Sequence, residues 1–297
     1  MKVFITGANG FVGQTLTDRL LRSGHEVTWL VRSQKSSEKA PKGVSLVVGD
    51  PTVEGRWQES VSDHTVLVNL AGATIFKRWT QDYKRLIYDS RILTTRNLVQ
   101  AAASGSRLLS TSAVGYYGFT GDEQLYESAP VGSGFLAELA ADWENEALEG
   151  SKKGLSVAIT RFGVVLGRDG GALAQMVLPF RFFAGGPLGS GKQWMSWIHI
   201  EDLCKAAMFL MDNTKIEGPV NFCSPEPVQN KSLAKVIGAI LKRPSFMPAP
   251  GFAINLILGE FGSVILKGQR VIPLKLMQNG FTFKYPNVQS ALSDLLQ

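Results

Sequence analysis

The chain has 297 residues, enough for one large domain or for two unequal ones. Its composition, 44% hydrophobic and 19% charged, is ordinary for a soluble globular protein. The net charge is +6, but the basic residues are scattered, so we interpret them as a solvated surface that suits anionic ligands and expect no nucleic-acid partner. Cys204 and Cys223 lack metal-type or CxxC spacing, which excludes metal and redox motifs and predicts buried thiols in a reducing compartment.

Neither end of the sequence predicts export or membrane insertion. The apolar run before Gly7 is too short for a signal peptide, so we expect a cytoplasmic protein with no membrane partner. Residues 252–266 are apolar but are interrupted by Asn255, Glu260 and two glycines, and cannot span a bilayer. They fit a core helix or an interface helix equally, and both a monomer and a homodimer stay open.

Strand-like and helix-like segments alternate through the first half of the chain. Short apolar runs predict buried strands at residues 3–6, 27–31, 44–48, 66–70, 108–111 and 157–162. Apolar residues at helical spacing predict helices up to Gly24, over residues 82–103 and over residues 137–148. This alternation predicts an α/β fold with a doubly wound parallel sheet that helices cover on both faces.

A glycine-rich loop follows the first predicted strand and opens the first predicted helix. Its first glycine permits a tight turn, its second lets the backbone approach a pyrophosphate, and its third lets the helix pack close to the sheet. The helix N-terminus then presents N–H groups to phosphates. This context predicts a Rossmann-type dinucleotide site formed by Gly7, Ala8, Asn9, Gly10, Phe11, Val12 and Gly13.

The end of the second strand selects the dinucleotide. NAD sites carry a carboxylate there for the ribose 2′-hydroxyl, whereas this chain has Arg32 and Ser33 and no carboxylate until Glu38. A guanidinium beside a hydroxyl suits a 2′-phosphate, so we predict NADP(H) as the cofactor.

Two further strand ends are expected to meet the cofactor, because ligands lie beyond the carboxyl ends of the strands. Asp50, after the third strand, is expected near the adenine. Leu70, Ala71 and Gly72, after the fourth, are expected under the ribose and pyrophosphate.

The composition of the sequence changes after Val164, where glycine pairs and, further along, prolines become frequent. We therefore predict an NADP(H)-binding Rossmann domain over residues 1–165, to which residues 192–225 return. A smaller C-terminal α/β substrate domain is predicted over residues 166–297.

Three motifs in this order, T-G-A-N-G-F-V-G, N-L-A-G-A and S-T-S-A-V-G-Y-Y-G, resemble the extended short-chain dehydrogenase/reductase superfamily, the NAD(P)-dependent epimerase/dehydratases. The segments R-F-G-V-V-L-G and G-S-G-K-Q-W-M-S-W-I-H-I-E-D-L are similar to later parts of the same fold. The chain most resembles an atypical branch of uncharacterised "epimerase family" proteins, described as sugar-nucleotide epimerases. These carry a C-terminal domain of unknown function, similar here to residues 268–273 and beyond. The resemblance covers essentially the whole chain.

The resemblance implies a catalytic serine but not the usual proton donor. Ser112 occupies the place of the residue that hydrogen-bonds a substrate carbonyl or hydroxyl. Typical members add a Tyr-x-x-x-Lys pair, in which lysine lowers the tyrosine pKa. The corresponding segment here runs from Phe135 to Leu139 and has neither group. Tyr116 or Tyr117 is a candidate replacement for the missing proton donor. Without a lysine neighbour, we expect the pKa of such a tyrosine to stay at the reference value of about 10. Both tyrosines fit packing of the loop equally well.

The resemblance implies roles for three more residues. Arg91 stands where ordinary members have an asparagine, and is expected either to contact the cofactor phosphates or to be a solvated helix charge. Arg161 is placed among the cofactor-contacting residues. His199 is expected to be a structural hydrogen-bonding residue rather than a general base.

The substrate region departs from sugar-nucleotide enzymes. Met195-Ser196-Trp197 stands where those enzymes carry an arginine that holds the nucleotide phosphates, and a thioether cannot bind a diphosphate. Aromatic residues at positions 182, 183, 194 and 197 fit a more apolar pocket or core packing.

The sequence therefore predicts an NADP(H)-binding oxidoreductase or epimerase acting on an unknown small carbonyl or carbinol substrate. Ser112 would orient that substrate while hydride moves to or from the nicotinamide. The alternative is a non-catalytic NADPH-binding regulator or scaffold, for example in cell division, which the missing tyrosine and lysine favour.

Overall fold

The computed structural model describes residues 1–168 and 170–297. Its strands, numbered in chain order, are β1 (Lys2–Thr6), β2 (Glu26–Val31), β3 (Val44–Val48), β4 (Val66–Asn69), β5 (Arg107–Ala113), β6 (Gln124–Leu125), β7 (Ser156–Phe162), β8 (Val164–Gly167), β9 (Gly170–Gly171), β10 (Trp194–Met195), β11 (Trp197–His199), β12 (Gly218–Phe222), β13 (Val228–Gln229) and β14 (Arg270–Val271). Its helices are α1 (Phe11–Arg22), α2 (Gln34–Ser37), α3 (Gln81–Ala101), α4 (Phe135–Lys152), α5 (Leu173–Arg181), α6 (Ile200–Asp212), α7 (Asn230–Leu241), α8 (Gly251–Leu258), α9 (Glu260–Ile265), α10 (Leu274–Gln278) and α11 (Val288–Leu296).

A parallel sheet forms the centre of the molecule. Within the described residues it has seven strands in the order β12-β7-β5-β4-β1-β2-β3, and every neighbouring pair is parallel. From β1 the chain first builds outward through β2 and β3, then crosses to β4 and builds the other way. The carboxyl ends of β1 and β4 meet at this switch point, where doubly wound sheets bind ligands. The predicted α/β doubly wound fold is confirmed.

An apolar core lies on each face of the sheet, because successive strand side chains point to opposite faces and helices cover both. On β1, Val3 and Ile5 pack into the core beneath α1 and α6, whereas Phe4 packs into the core beneath α3 and α4. The helices that cover the sheet therefore also hold the carboxyl ends of its strands at fixed positions.

The strand predicted at residues 44–48 forms as β3, but the prediction that it is buried is wrong. β3 is the last strand in the sheet order and pairs with β2. Its Leu46 and Val48 side chains are 41% and 51% exposed. An apolar run alone does not distinguish an edge strand from a central one, because chain order sets a strand's place in the sheet.

The second half of the chain contributes to more than one layer. β12 pairs with β7 at the edge of the central sheet, and α6 packs against α1. A separate apolar core joins α5, α7 and α11, and β14 pairs with β6. Of the segment at 252–266, α9 buries Phe261, whereas α8 has no fully buried side chain and packs Leu258 only partly against the same apolar cluster. Within residues 1–168 and 170–297, no helix is long and apolar enough to cross a membrane.

Candidate cofactor and active site

The glycine loop between β1 and α1 has the close backbone contacts that its spacing requires. Gly7 has φ +68°, and a Cβ there would lie 2.7 Å from the backbone of Leu70 and Ala71. A Cβ on Gly13 would lie 2.5 Å from the Ala8 carbonyl oxygen. Gly10 caps α1 and donates its N–H to the Gly7 carbonyl at 3.0 Å. Since no side chain caps α1, its first-turn N–H groups are available to an anion.

The other residues of the glycine loop are held in place by contacts with the rest of the fold. Ala8 is fully buried, and Val12, in the first turn of α1, packs against the apolar core under that helix. The Asn9 carbonyl accepts a hydrogen bond from the Gln14 amide at 2.7 Å, which fixes the turn. The Phe11 ring lies so close to the β8–β9 hairpin that a Cβ on Gly170 would be 2.5 Å from it. The hairpin glycines therefore make room for Phe11.

The ends of β2 and β3 bring charged groups to the same edge of the sheet. Arg32 follows β2 and is exposed, and Ser33 caps α2. Asp50 follows β3 and accepts hydrogen bonds from the Thr52 backbone and hydroxyl at 2.9 and 2.7 Å. Partial burial opposes ionisation of Asp50, but the Thr52 hydrogen bonds and the Arg32 charge together hold its pKa below the ordinary value. Arg32 and Asp50 thus lie within electrostatic reach of each other.

Arg91 extends from α3 to the loop that follows β4. Its guanidinium carbon lies 3.0 Å from where a Gly72 Cβ would be, and Nη1 donates to the Ala73 and Ile87 carbonyls at 3.1 and 3.0 Å. Burial lowers the pKa of Arg91 to about 10. Among the described residues, no carboxylate forms an ion pair with it. The switch point therefore holds a partly desolvated cation, which faces the Trp143 ring at 5.2 Å and meets no carboxylate in the described part of the chain.

Ser112, at the end of β5, belongs to a buried polar cluster. Its hydroxyl donates to the Glu144 carboxylate at 2.7 Å. Arg161 of β7 donates two hydrogen bonds of 2.8 Å to the same carboxylate. Burial opposes the charge of Arg161, but Glu144 more than compensates and raises its pKa. Arg161, which the sequence places among the cofactor-contacting residues, is thus paired with Glu144 inside the protein.

The two candidate tyrosines differ sharply in their surroundings. Tyr117 is 1% exposed, accepts a hydrogen bond from Arg161 at 2.8 Å and donates to the Asn221 amide oxygen at 2.6 Å. Burial raises its pKa to about 12. Tyr116 is half-buried, and its ring stacks on Arg161 with the guanidinium carbon 3.6 Å from the ring centre. The Tyr117 hydroxyl is therefore locked between Arg161 and Asn221, whereas Tyr116 is left partly exposed.

Phe135 and Leu139, which replace the usual tyrosine and lysine, are part of an apolar cluster. Leu139 is buried beside Trp79 and Phe261, and the rings of Phe135 and Trp79 meet edge to face at 5.4 Å. The first turn of α4 therefore contributes packing here rather than an acid–base pair.

The remaining predicted groups lie in the C-terminal half. Nδ1 of His199 accepts the Glu201 backbone N–H at 3.1 Å, and its ring stacks on Tyr285. Burial lowers its pKa. This is a structural arrangement, as expected from the sequence. Trp197 is fully buried, and Ser196 bonds the backbone of Gln269 and Val271, so this segment packs into the fold.

Sequence reasoning missed Glu144 and Asn221, which hold the serine and the tyrosine. Glu144 had a detectable signal, because it shares a helix face with the buried residues Ala140 and Ala147. A carboxylate on an otherwise apolar face needs a buried partner. Asn221 had no such signal.

Comparisons with known proteins match this geometry to a family. Residues 3–223 match the NAD dependent epimerase/dehydratase family, and residues 249–295 match a domain of unknown function, DUF1731. The chloroplastic epimerase family protein SDR39U1 homolog of Arabidopsis thaliana is 40% identical over all of this chain and 87% of its own length. Epimerase family protein YfhF of Bacillus subtilis is 39% identical over all of this chain and 98% of its own length.

A solved structure extends the match to three dimensions. The crystal structure of human epimerase family protein SDR39U1 (isoform 2) with NADPH superposes with a TM-score of 0.86 and 31% identity. The alignment covers 99% of each chain. The chain, which carries a DUF1731 match at residues 249–295 and is similar to the epimerase family proteins, belongs to the NAD-dependent epimerase/dehydratase family.

Proposed function

We propose that this protein binds NADP(H) and acts as an oxidoreductase or epimerase on a small carbonyl or carbinol substrate. The observation that carries the proposal is Arg91, a half-buried cation beside the loop after β4 that has no carboxylate partner within residues 1–168 and 170–297. A buried charge is costly unless an anion meets it, and a cofactor diphosphate held by the N-terminus of α1 supplies that anion. The human relative crystallised with NADPH supports the assignment.

The cluster around Ser112 defines what this site does with a substrate. Bound NADP(H) would supply or accept hydride at C4 of its nicotinamide. The Ser112 hydroxyl donates its one hydrogen bond to Glu144, so toward a substrate its oxygen would accept a hydrogen bond from a hydroxyl. Tyr116, held flat against Arg161, is the phenol that exchanges a proton with the reacting oxygen.

Preference for the 2′-phosphate rests on Arg32. We expect NADPH to raise the melting temperature more than NADH at equal concentration, because only the bound state gains the ligand's binding free energy. At 100 times its dissociation constant, a ligand adds about 2.7 kcal/mol of stability. Substituting Arg32→Ser will reduce the NADPH effect and leave the NADH effect unchanged. Equal stabilisation by the two dinucleotides would contradict the role given to Arg32.

Arg91 gives an independent test of the phosphate site. Arg91→Met removes a desolvated cation and keeps its bulk, so we expect the ligand-free protein to melt within a few degrees of the wild type or above it. The dissociation constant for NADPH, measured by calorimetry, will rise about 10- to 100-fold, because a charge-assisted hydrogen bond is lost. Arg85→Met is the matched control, since Arg85 lies on the same helix with its side chain 84% exposed. An unchanged affinity in Arg91→Met would remove Arg91 from the site.

A second function is favoured by the apolar packing of Phe135 and Leu139. That packing leaves the first turn of α4 without the usual tyrosine and lysine, which suits a regulator or scaffold that binds NADPH without turning over a substrate.

Turnover separates the two functions. With NADPH and a panel of aldehydes and ketones, or NADP+ and alcohols, we expect wild-type activity that Tyr116→Phe lowers about 100-fold or more, with NADPH affinity retained. Tyr117→Phe will act mainly on thermal stability, because its hydroxyl is locked between Arg161 and Asn221. NADPH binding without turnover by the wild type across the panel would support the regulator.

A further inference from the structure

Two stretches of the C-terminal half carry basic side chains and no acidic ones. Residues 170–200 and 227–259 contain no aspartate or glutamate. Their six basic residues, all exposed, are Arg181, Lys192, Lys231, Lys235, Lys242 and Arg243.

The same stretches expose large apolar side chains. Six of them are more than half exposed, and we call them the Phe252 surface: Phe182, Phe183, Phe246, Phe252, Leu256 and Ile257. Three lie on α8, in which no side chain is fully buried. Leaving four phenylalanines and two aliphatic side chains in water is costly, so such a surface marks a place of contact.

Backbone contacts bring the parts of this surface together. The Met247 N–H donates to the Gly185 carbonyl at 3.1 Å, and the Ala249 N–H donates to the Pro187 carbonyl at 2.9 Å. The segment after α5 therefore runs beside the segment that leads into α8. The Arg243 guanidinium also lies 4.4 Å from the centre of the Phe183 ring, which places a cation directly against the apolar residues.

Against the expectation from the sequence that the protein has no membrane partner, we propose that the Phe252 surface docks onto an anionic lipid surface.

 Aromatic and aliphatic side chains enter the interfacial region of a bilayer, while adjacent lysines and arginines are attracted to acidic headgroups. The absence of carboxylates from both stretches removes the repulsion that acidic lipids would otherwise meet. A second copy of the chain fits less well, because a symmetric contact through this face would set the same basic residues against each other.

Vesicle sedimentation tests the proposal with the full-length protein. We expect it to pellet with phosphatidylcholine vesicles that contain phosphatidylglycerol, to pellet far less with phosphatidylcholine alone, and to be released as salt increases. The triple substitution Phe252→Ser/Leu256→Ser/Ile257→Ser and the double substitution Lys242→Glu/Arg243→Glu will each weaken binding about tenfold or more.

Matched controls make the result specific. Leu46→Ser/Val48→Ser removes exposed apolar side chains from β3, and Lys205→Glu/Lys215→Glu reverses two exposed charges elsewhere; both are expected to bind as the wild type does. Melting curves with and without NADPH establish that every variant is folded. Failure of the wild type to pellet with anionic vesicles, or equal binding by the α8 variant, would overturn the proposal. So would a dimer, detected by light scattering, that the α8 substitutions abolish while no vesicles bind.

Discussion

Replacing Glu144 with glutamine will lower the free energy of unfolding by about 3–5 kcal/mol, the usual cost of removing one partner of a buried ion pair. The Arg161 and Glu144 side chains are 2% and 6% exposed, so water cannot solvate the charge that remains. Glutamine keeps the shape but presents an NH2 group where Glu144 accepts from Arg161 or Ser112. Chemical denaturation monitored by circular dichroism measures the loss.

Glu146→Gln is the matched control for this prediction. Glu146 lies two residues further along α4 and pairs with Arg96, but that pair is partly exposed. Exposed pairs contribute about 0–1 kcal/mol, so the control is expected to remain close to the wild type. The double substitution Glu144→Leu/Arg161→Met should recover part of the lost stability, because no isolated charge is left buried. Equal losses in Glu144→Gln and Glu146→Gln would contradict the buried-pair account.

The fold could be predicted because its signals are local. A strand, a glycine turn and a helix follow one another within residues 2–22, and the alternation recurs along the first half of the chain. The exposure of β3 could not be predicted, because the edge position depends on which strands the later chain places beside β1. The exposed face of α8 had the same ambiguity, since apolar residues alone fit a core and an interface equally.

In the candidate site, too, the residues that are contiguous in sequence could be predicted, and the contacts between distant segments could not. The loop around Gly7 and Gly13 is contiguous in sequence, so its geometry follows from residue spacing. The cluster around Ser112 joins β5, α4 and β7, and one sequence does not reveal which buried polar residues pair. Tyr116 and Tyr117 are neighbours in the chain, and only the turn that contains them decides which hydroxyl is buried.

Gly13→Ala is expected to weaken NADPH binding about tenfold or more and to lower the free energy of unfolding by about 1–3 kcal/mol. The new methyl group would lie 2.5 Å from the Ala8 carbonyl oxygen and 2.6 Å from its Cα, and both atoms are backbone. α1 must therefore move away from β1, which displaces the N–H groups that face the phosphates. Calorimetric titration with NADPH and denaturant unfolding measure the two effects.

Gly150→Ala separates steric crowding from helix propensity. Both glycines are buried in helices, where alanine is favoured over glycine by about 1 kcal/mol. A Cβ on Gly150 would meet side-chain atoms of Leu155 and Val157 at 3.3 Å, and these can adjust, whereas the backbone at Ala8 cannot. Gly150→Ala should therefore retain NADPH affinity and most of its stability. If Gly13→Ala also retained its affinity, α1 would not need to lie so close to β1 for the cofactor to bind, and the steric reason for glycine at position 13 would be lost.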